Sequence, residues 1–134
     1  MVSPDVEDLA SWVPPDELFS VFVQLLIGPI DGPGEESFGI LFCSPMWLAN
    51  EVAERGIVDG RHTYFVDSWD WRMICDYLNK RIASLEADSW TELAGQLSRI
   101  GHWEFEDYVG VRAPNRVFPP PKWWLPKWEA GKSV

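Results

Sequence analysis

Hydrophobic residues in this chain change period twice, and that change limits the fold more than any other feature. From Phe19 to Ile27 every odd position is apolar, while the even side mixes Ser20, Phe22, Gln24 and Leu26. This is the alternation of a strand with one buried face. From Trp71 to Leu85 the apolar residues are Trp71, Ile74, Cys75, Leu78, Ile82 and Leu85, with Arg72, Asp76, Asn79, Lys80 and Glu86 facing water. They fall on one stripe of an amphipathic helix. Period two returns after His102, where Trp103, Phe105, Val109 and Val111 point one way and Glu104, Glu106 and Tyr108 the other. Strands and helices must therefore share one core, and 134 residues suffice for one such domain.

The intervening segments supply the punctuation. Asp5 to Trp12, closed by Pro14 and Pro15, has room for one or two helical turns at most, with Asp5 as a possible cap. The stretch from Gly28 to Glu36 is dense in turn formers, and Phe38 to Cys43 resumes strand alternation, which makes a long-looped hairpin. Ser44 followed by Pro45 reads as an N-cap and first helical residue, opening a helix that runs to Arg55 and stops at Gly56. His62 to Val66 reads as a third strand, and Asp67 or Ser68 as the cap of the helix that follows. Ser89 and Glu92 form a capping box for a second stripe of Trp90, Leu93, Leu97 and Ile100, ended by Gly101, so the last two helices make an αα-hairpin. The predicted fold is α+β, in the order ββαβααβ: a small, mostly antiparallel sheet with helices on one face. Residues 1–113 form this domain, and 114–134 a basic arm rich in Pro and Trp.

Charge is unevenly placed. Residues 1–108 hold 20 Asp and Glu against 6 Lys and Arg, net −14, whereas residues 109–134 hold 1 against 5, net +4. Such a body repels nucleic acid and anionic lipid, which are bound through Lys and Arg, and attracts basic partners. No apolar run is long enough to span a bilayer, and Met1 to Asp8 lacks the basic and apolar regions of a secretory signal, so a cytoplasmic location is expected. Cys43 and Cys75 fit no C-x-x-C motif and read as small core residues.

Motifs for catalysis are missing. His62 and His102 stand forty residues apart outside any metal or nucleophile motif, and the acid-rich loop holding Gly28, Gly32 and Gly34 would repel a phosphate. No cofactor and no metal site is expected. The carboxylates offer two candidate partner-binding groups: Glu104, Glu106 and Asp107 with Tyr108 on the last strand, and Asp31, Glu35 and Glu36 at the hairpin tip. On the strand, aromatic residues facing inward would hold the backbone while carboxylates project to receive Lys or Arg.

Several segments together resemble a known family: Ser3-Pro4-Asp5 with Leu9, Ile27-Gly28-Pro29, the run Gly34 to Phe38, the run Cys43 to Leu48, Ser89-Trp90, and the run Trp103 to Tyr108. They are similar, in order and over residues 3–108, to the immunity protein 8 family of bacterial polymorphic toxin systems. The resemblance implies a cytoplasmic binding protein, not an enzyme, that neutralises a cognate protein toxin. A nuclease with a positive groove would suit the acidic body, and a homo-oligomer is open. Two other readings stand beside it: a small carboxylate-dependent or metal-dependent enzyme using the same carboxylates, and an adaptor subunit docking through Trp123 and Trp124. The arm from Val109 onward is outside the resemblance.

Overall fold

The structure is a computed structural model in which residues 1–30, 32 and 34–103 are described. Strands β1 (Ser20–Ile27) and β2 (Glu36–Cys43) form the hairpin, paired antiparallel from Ser20 opposite Cys43 to Ile27 opposite Glu36. Helix α1 (Pro45–Arg55) returns the chain to β3 (Thr63–Phe65), which runs parallel to β2. Helices α2 (Trp71–Ala83) and α3 (Trp90–Leu97) follow, and β4 (His102–Trp103) pairs antiparallel with β2. The order ββαβααβ and the α+β class are those the periodicity predicts. Strand β2 lies at the centre, with β1 on one side and β3 and β4 sharing the other.

The period-two register fixes which side chains meet. Val21 faces Phe42, Val23 faces Ile40 and Leu25 faces Phe38, and all six are buried. Ile74 and Leu78 of α2, Ala94 and Leu97 of α3, Ile100 and Leu9 close over them. Burial of such side chains contributes about 1.5–3 kcal/mol each, so this layer dominates stability. Helix α1 supplies no buried residue.

Capping explains where the helices begin. Ser44 is 2% exposed, and its hydroxyl accepts from the Trp47 N–H at 3.2 Å, capping α1 ahead of Pro45. The same oxygen accepts from the Phe19 N–H at 3.2 Å, tying the cap to the start of β1. Gly56 ends α1 with a φ of 81°, a conformation that favours glycine. The α2 cap is Asp70, not Asp67 or Ser68: its carboxylate accepts from the Met73 N–H at 3.1 Å. Trp69 needs the extra residues to reach the core, where it packs edge-on against Trp12 and Phe42 and donates its indole N–H to the Leu9 carbonyl at 2.8 Å. Ser89 caps α3, but Glu92 reaches back to the N–H of Asp88. Helix α3 stops at Leu97, and a tight turn carries Ile100 into the core. Gly101 then lies against β2 so closely that a Cβ would sit 3.0 Å from that of Phe38.

The N-terminal segment departs from expectation. No helix forms there, and Asp5 caps a strand: its carboxylate accepts from the Phe22 N–H at 3.0 Å. Ser3 donates its hydroxyl to the Phe22 carbonyl at 2.5 Å, and Val2 exchanges two backbone hydrogen bonds with Gln24. Edge donors and acceptors on β1 compete successfully with a single helical turn for this segment. Both cysteines are free thiols; Cys43 is buried and Cys75 half-buried. Burial pushes both thiols above their ordinary value, with Asp76 adding to the effect at Cys75.

Candidate functional site

Two regions carry chemistry that the core does not use. The first is the open end of the hairpin. Glu35 is exposed, and Glu36, at the first position of β2, is half-buried. The register places Trp103 opposite Phe38, so the Trp103 ring stacks on that of Phe38, with centroids 6.4 Å apart. Its indole N–H donates to the Glu36 carboxylate at 2.9 Å. Neighbouring glutamates thus have different tasks: Glu36 holds the start of β4 to β2, and Glu35 projects into water. Strand β4 therefore brings the end of the described chain beside the start of β2, with Trp103 held to Glu36 across sixty-seven positions of sequence. Asp31, Glu104, Glu106, Asp107 and Tyr108 lie outside the described residues, as does the boundary at 113.

The second region is a groove of about 560 Å³ between β3 and α2. Tyr64, Phe65 and Val66 form one wall, Met73, Ile74, Tyr77 and Arg81 the other, and Arg99 one end. Tyr64 donates its hydroxyl proton to the Ile100 carbonyl at 2.9 Å and accepts from the Arg81 guanidinium at 2.5 Å. That guanidinium lies 5.8 Å from the centre of the Tyr64 ring and 6.0 Å from that of Tyr77. Burial raises the Tyr64 phenol above its ordinary value, with Arg81 opposing the shift. The pair Tyr77 and Arg81, four apart on α2, was a signal open to sequence reading. The contributions of Tyr64 and Arg99 arise only from tertiary packing.

The fold also brings His62 and His102 together, with ring centroids 5.8 Å apart and His62 at a φ of 58°. Among the described residues no group of three or more His, Cys, Asp or Glu is placed to hold a metal ion. No helix among them is long and apolar enough to cross a membrane.

A family model described as Immunity protein 8 matches residues 1–108. The chain belongs to the immunity protein 8 family. The match takes in every described residue and continues through Tyr108, so the sheet, the helices, the groove and both acidic groups all fall within it. The basic arm is outside it. No curated protein and no solved structure matches the chain. Membership in this family implies an immunity protein of a polymorphic toxin system, one that binds a cognate toxin.

Proposed function

We propose that this immunity protein acts in the cytoplasm, by binding and not by catalysis, and neutralises its toxin by covering a basic surface with its acidic body. The toxin we have in mind is a nuclease, whose substrate groove must be positive to hold phosphate. The observation that carries this reading is how little of the acidic charge is used internally. Among the described residues the only ion pair is Arg55 with Glu51, at 3.6 Å on the surface of α1. The other described carboxylates accept hydrogen bonds from N–H or O–H groups, as Asp70, Glu36 and Asp8 do, or face solvent. A surface of uncompensated carboxylates raises the encounter rate with a basic partner and supplies acceptors for its Arg and Lys. The contacts we assign are Glu35 and Glu36 at the hairpin tip, together with Asp31, Glu104, Glu106, Asp107 and Tyr108.

The test is co-expression with the toxin encoded beside this chain, read as survival, together with association kinetics at low and high salt. Charge reversal at Glu35, Glu104 or Glu106 should slow association and leave the unfolding free energy within about 0.5 kcal/mol of wild type. Glu36→Lys should also destabilise, by about 1 kcal/mol, because it breaks the bond to the Trp103 indole. Protection that persists at every salt concentration in all four variants would place the interface elsewhere.

A further inference from the structure

We propose that the groove between β3 and α2 is a second docking site, and that its occupant is an extended peptide segment of a partner carrying a carboxylate between apolar side chains. This does not rest on the toxin reading, because the argument comes from the groove alone.

Three observations converge. First, cations are scarce in residues 1–108, yet two of the six, Arg81 and Arg99, line this groove together, and both also line an adjoining hollow between α2 and α3. Neither forms an ion pair among the described residues, although over residues 1–108 carboxylates outnumber cations 20 to 6. Arg81 is half-buried, fixed by the Tyr64 hydroxyl and by two aromatic faces, and so is held in place before any ligand arrives. A guanidinium has five N–H donors in a planar fork that matches a carboxylate, and one bond to Tyr64 leaves most of them available.

Second, the walls are apolar and exposed. Phe65 is 55% exposed, Met73 49% and Tyr77 51%, and all three border the same groove. Third, the groove runs along a strand edge. On β3 the bonds to β2 come from alternate residues, with His62 accepting from the Leu41 N–H and Val66 donating to the Cys43 carbonyl. Alternation in a parallel ladder turns the N–H and C=O of Phe65 to the outer side. Among the described residues no strand pairs with that side. Backbone pairing would supply affinity, the apolar walls would accept alternate side chains, and the two arginines would select for an acid. A basic segment would meet like charge at Arg81 and Arg99, so the groove chemistry selects an acidic one.

The test uses the full chain and an array of short synthetic peptides, each with one Glu among apolar β-forming residues, and with Gln and Lys counterparts of each. We expect retention of Glu peptides over their Gln counterparts by about tenfold, the effect of a charge-assisted hydrogen bond, with Lys peptides not retained. Arg99→Gln and Arg81→Gln should each remove that preference. Arg81→Lys should restore it only in part, because an ammonium lacks the fork. Arg99 is exposed, so Arg99→Gln should unfold at the wild-type temperature, which keeps the test valid if Arg81→Gln does not fold. An equal response to Glu and Gln peptides, absence of any retained peptide, or a preference that survives Arg99→Gln would each overturn the proposal. So would displacement of the retained peptides by a synthetic copy of residues 109–134, which would assign the groove to the chain's own arm.

Discussion

Along the outer edge of β1, Phe22 and Gln24 find partners for both their N–H and C=O groups in residues 2–5, whereas along the outer edge of β3 no described residue does the same for Phe65. An unpaired strand edge is a template for another chain, and proteins usually cover it, charge it or keep it short. This molecule covers the β1 edge with its own N-terminal segment. At the β3 edge it relies on brevity, three residues, and flanks them with a groove of aromatic and guanidinium groups. The difference separates an edge whose pairing is needed for stability from one that is available for recognition. It also places the recognition edge on the opposite side of β2 from the sealed one, so that a partner could pair there without disturbing the segment that completes β1.

The largest effect should come from unsealing β1. Removing residues 1–5 deletes the partners of four hydrogen bonds, two to Phe22 and two to Gln24. At about 0.5–1.5 kcal/mol each, the unfolding free energy in urea should fall by about 2–6 kcal/mol. The freed edge should also make the protein self-associate with rising concentration in sedimentation velocity. A variant that stays monomeric and as stable as the parent would erase the distinction between the two edges.

A smaller effect is expected at the root of the β3 groove. Tyr64→Phe removes the hydroxyl that donates to Ile100 and receives Arg81, at a cost of about 1 kcal/mol near neutral pH. Because burial raises the folded-state pKa of Tyr64 above its ordinary value near 10, the folded protein holds that proton more tightly than the unfolded chain does. The associated stability is fully present below the unfolded value and is lost as pH rises through the folded one. Wild type should therefore lose stability above about pH 10 more steeply than Tyr64→Phe, and the two curves should converge. Parallel curves would mean that Tyr64 titrates as freely in the fold as in the unfolded chain.

Local physics made much of this fold legible. Strand β1 and helix α1 begin and end within two residues of the positions predicted from alternation, from Ser44-Pro45 and from Gly56, because each signal acts within a few residues of itself. What the sequence hid was set by distant partners. Asp5 looks like a helix cap until a strand edge is present to use it, and Asp70 replaces Asp67 and Ser68 as a cap because Trp69 must first reach Leu9 and Phe42. Of the candidate site, the acidity of the hairpin tip was plain, but the division of labour between Glu35 and Glu36 depends on Trp103, sixty-seven positions away. The groove was invisible for the same reason: Tyr64 lies on β3, Arg81 on α2 and Arg99 in the turn after α3, and no spacing in the chain relates all three.

The finest test of the comparison concerns one N–H on each edge. On β1 the Phe22 N–H is bonded to Asp5 and its loss should be felt; on β3 the Phe65 N–H points away from β2 and its loss should not. Phe65→Pro deletes that N–H and fixes φ, which an outward-facing position on an edge strand tolerates. Phe65→Ala removes the same aromatic ring but keeps the N–H, so the difference between the two variants isolates the backbone group. We expect their unfolding free energies to agree within about 0.5 kcal/mol, since no ladder bond is lost and the proline also restricts the unfolded chain. Peptide retention should separate them: Phe65→Ala should keep part of the preference for Glu over Gln, and Phe65→Pro should lose the retention itself, because backbone pairing is blocked while Arg81 and Arg99 remain. A proline variant that unfolds well below its alanine partner would show that the Phe65 N–H bonds to β2, and that the ladder alternation is the reverse of the one drawn here. A proline variant as stable as the alanine one that still retains the peptides would show that the groove binds through its side chains alone, leaving the β3 edge without the part assigned to it.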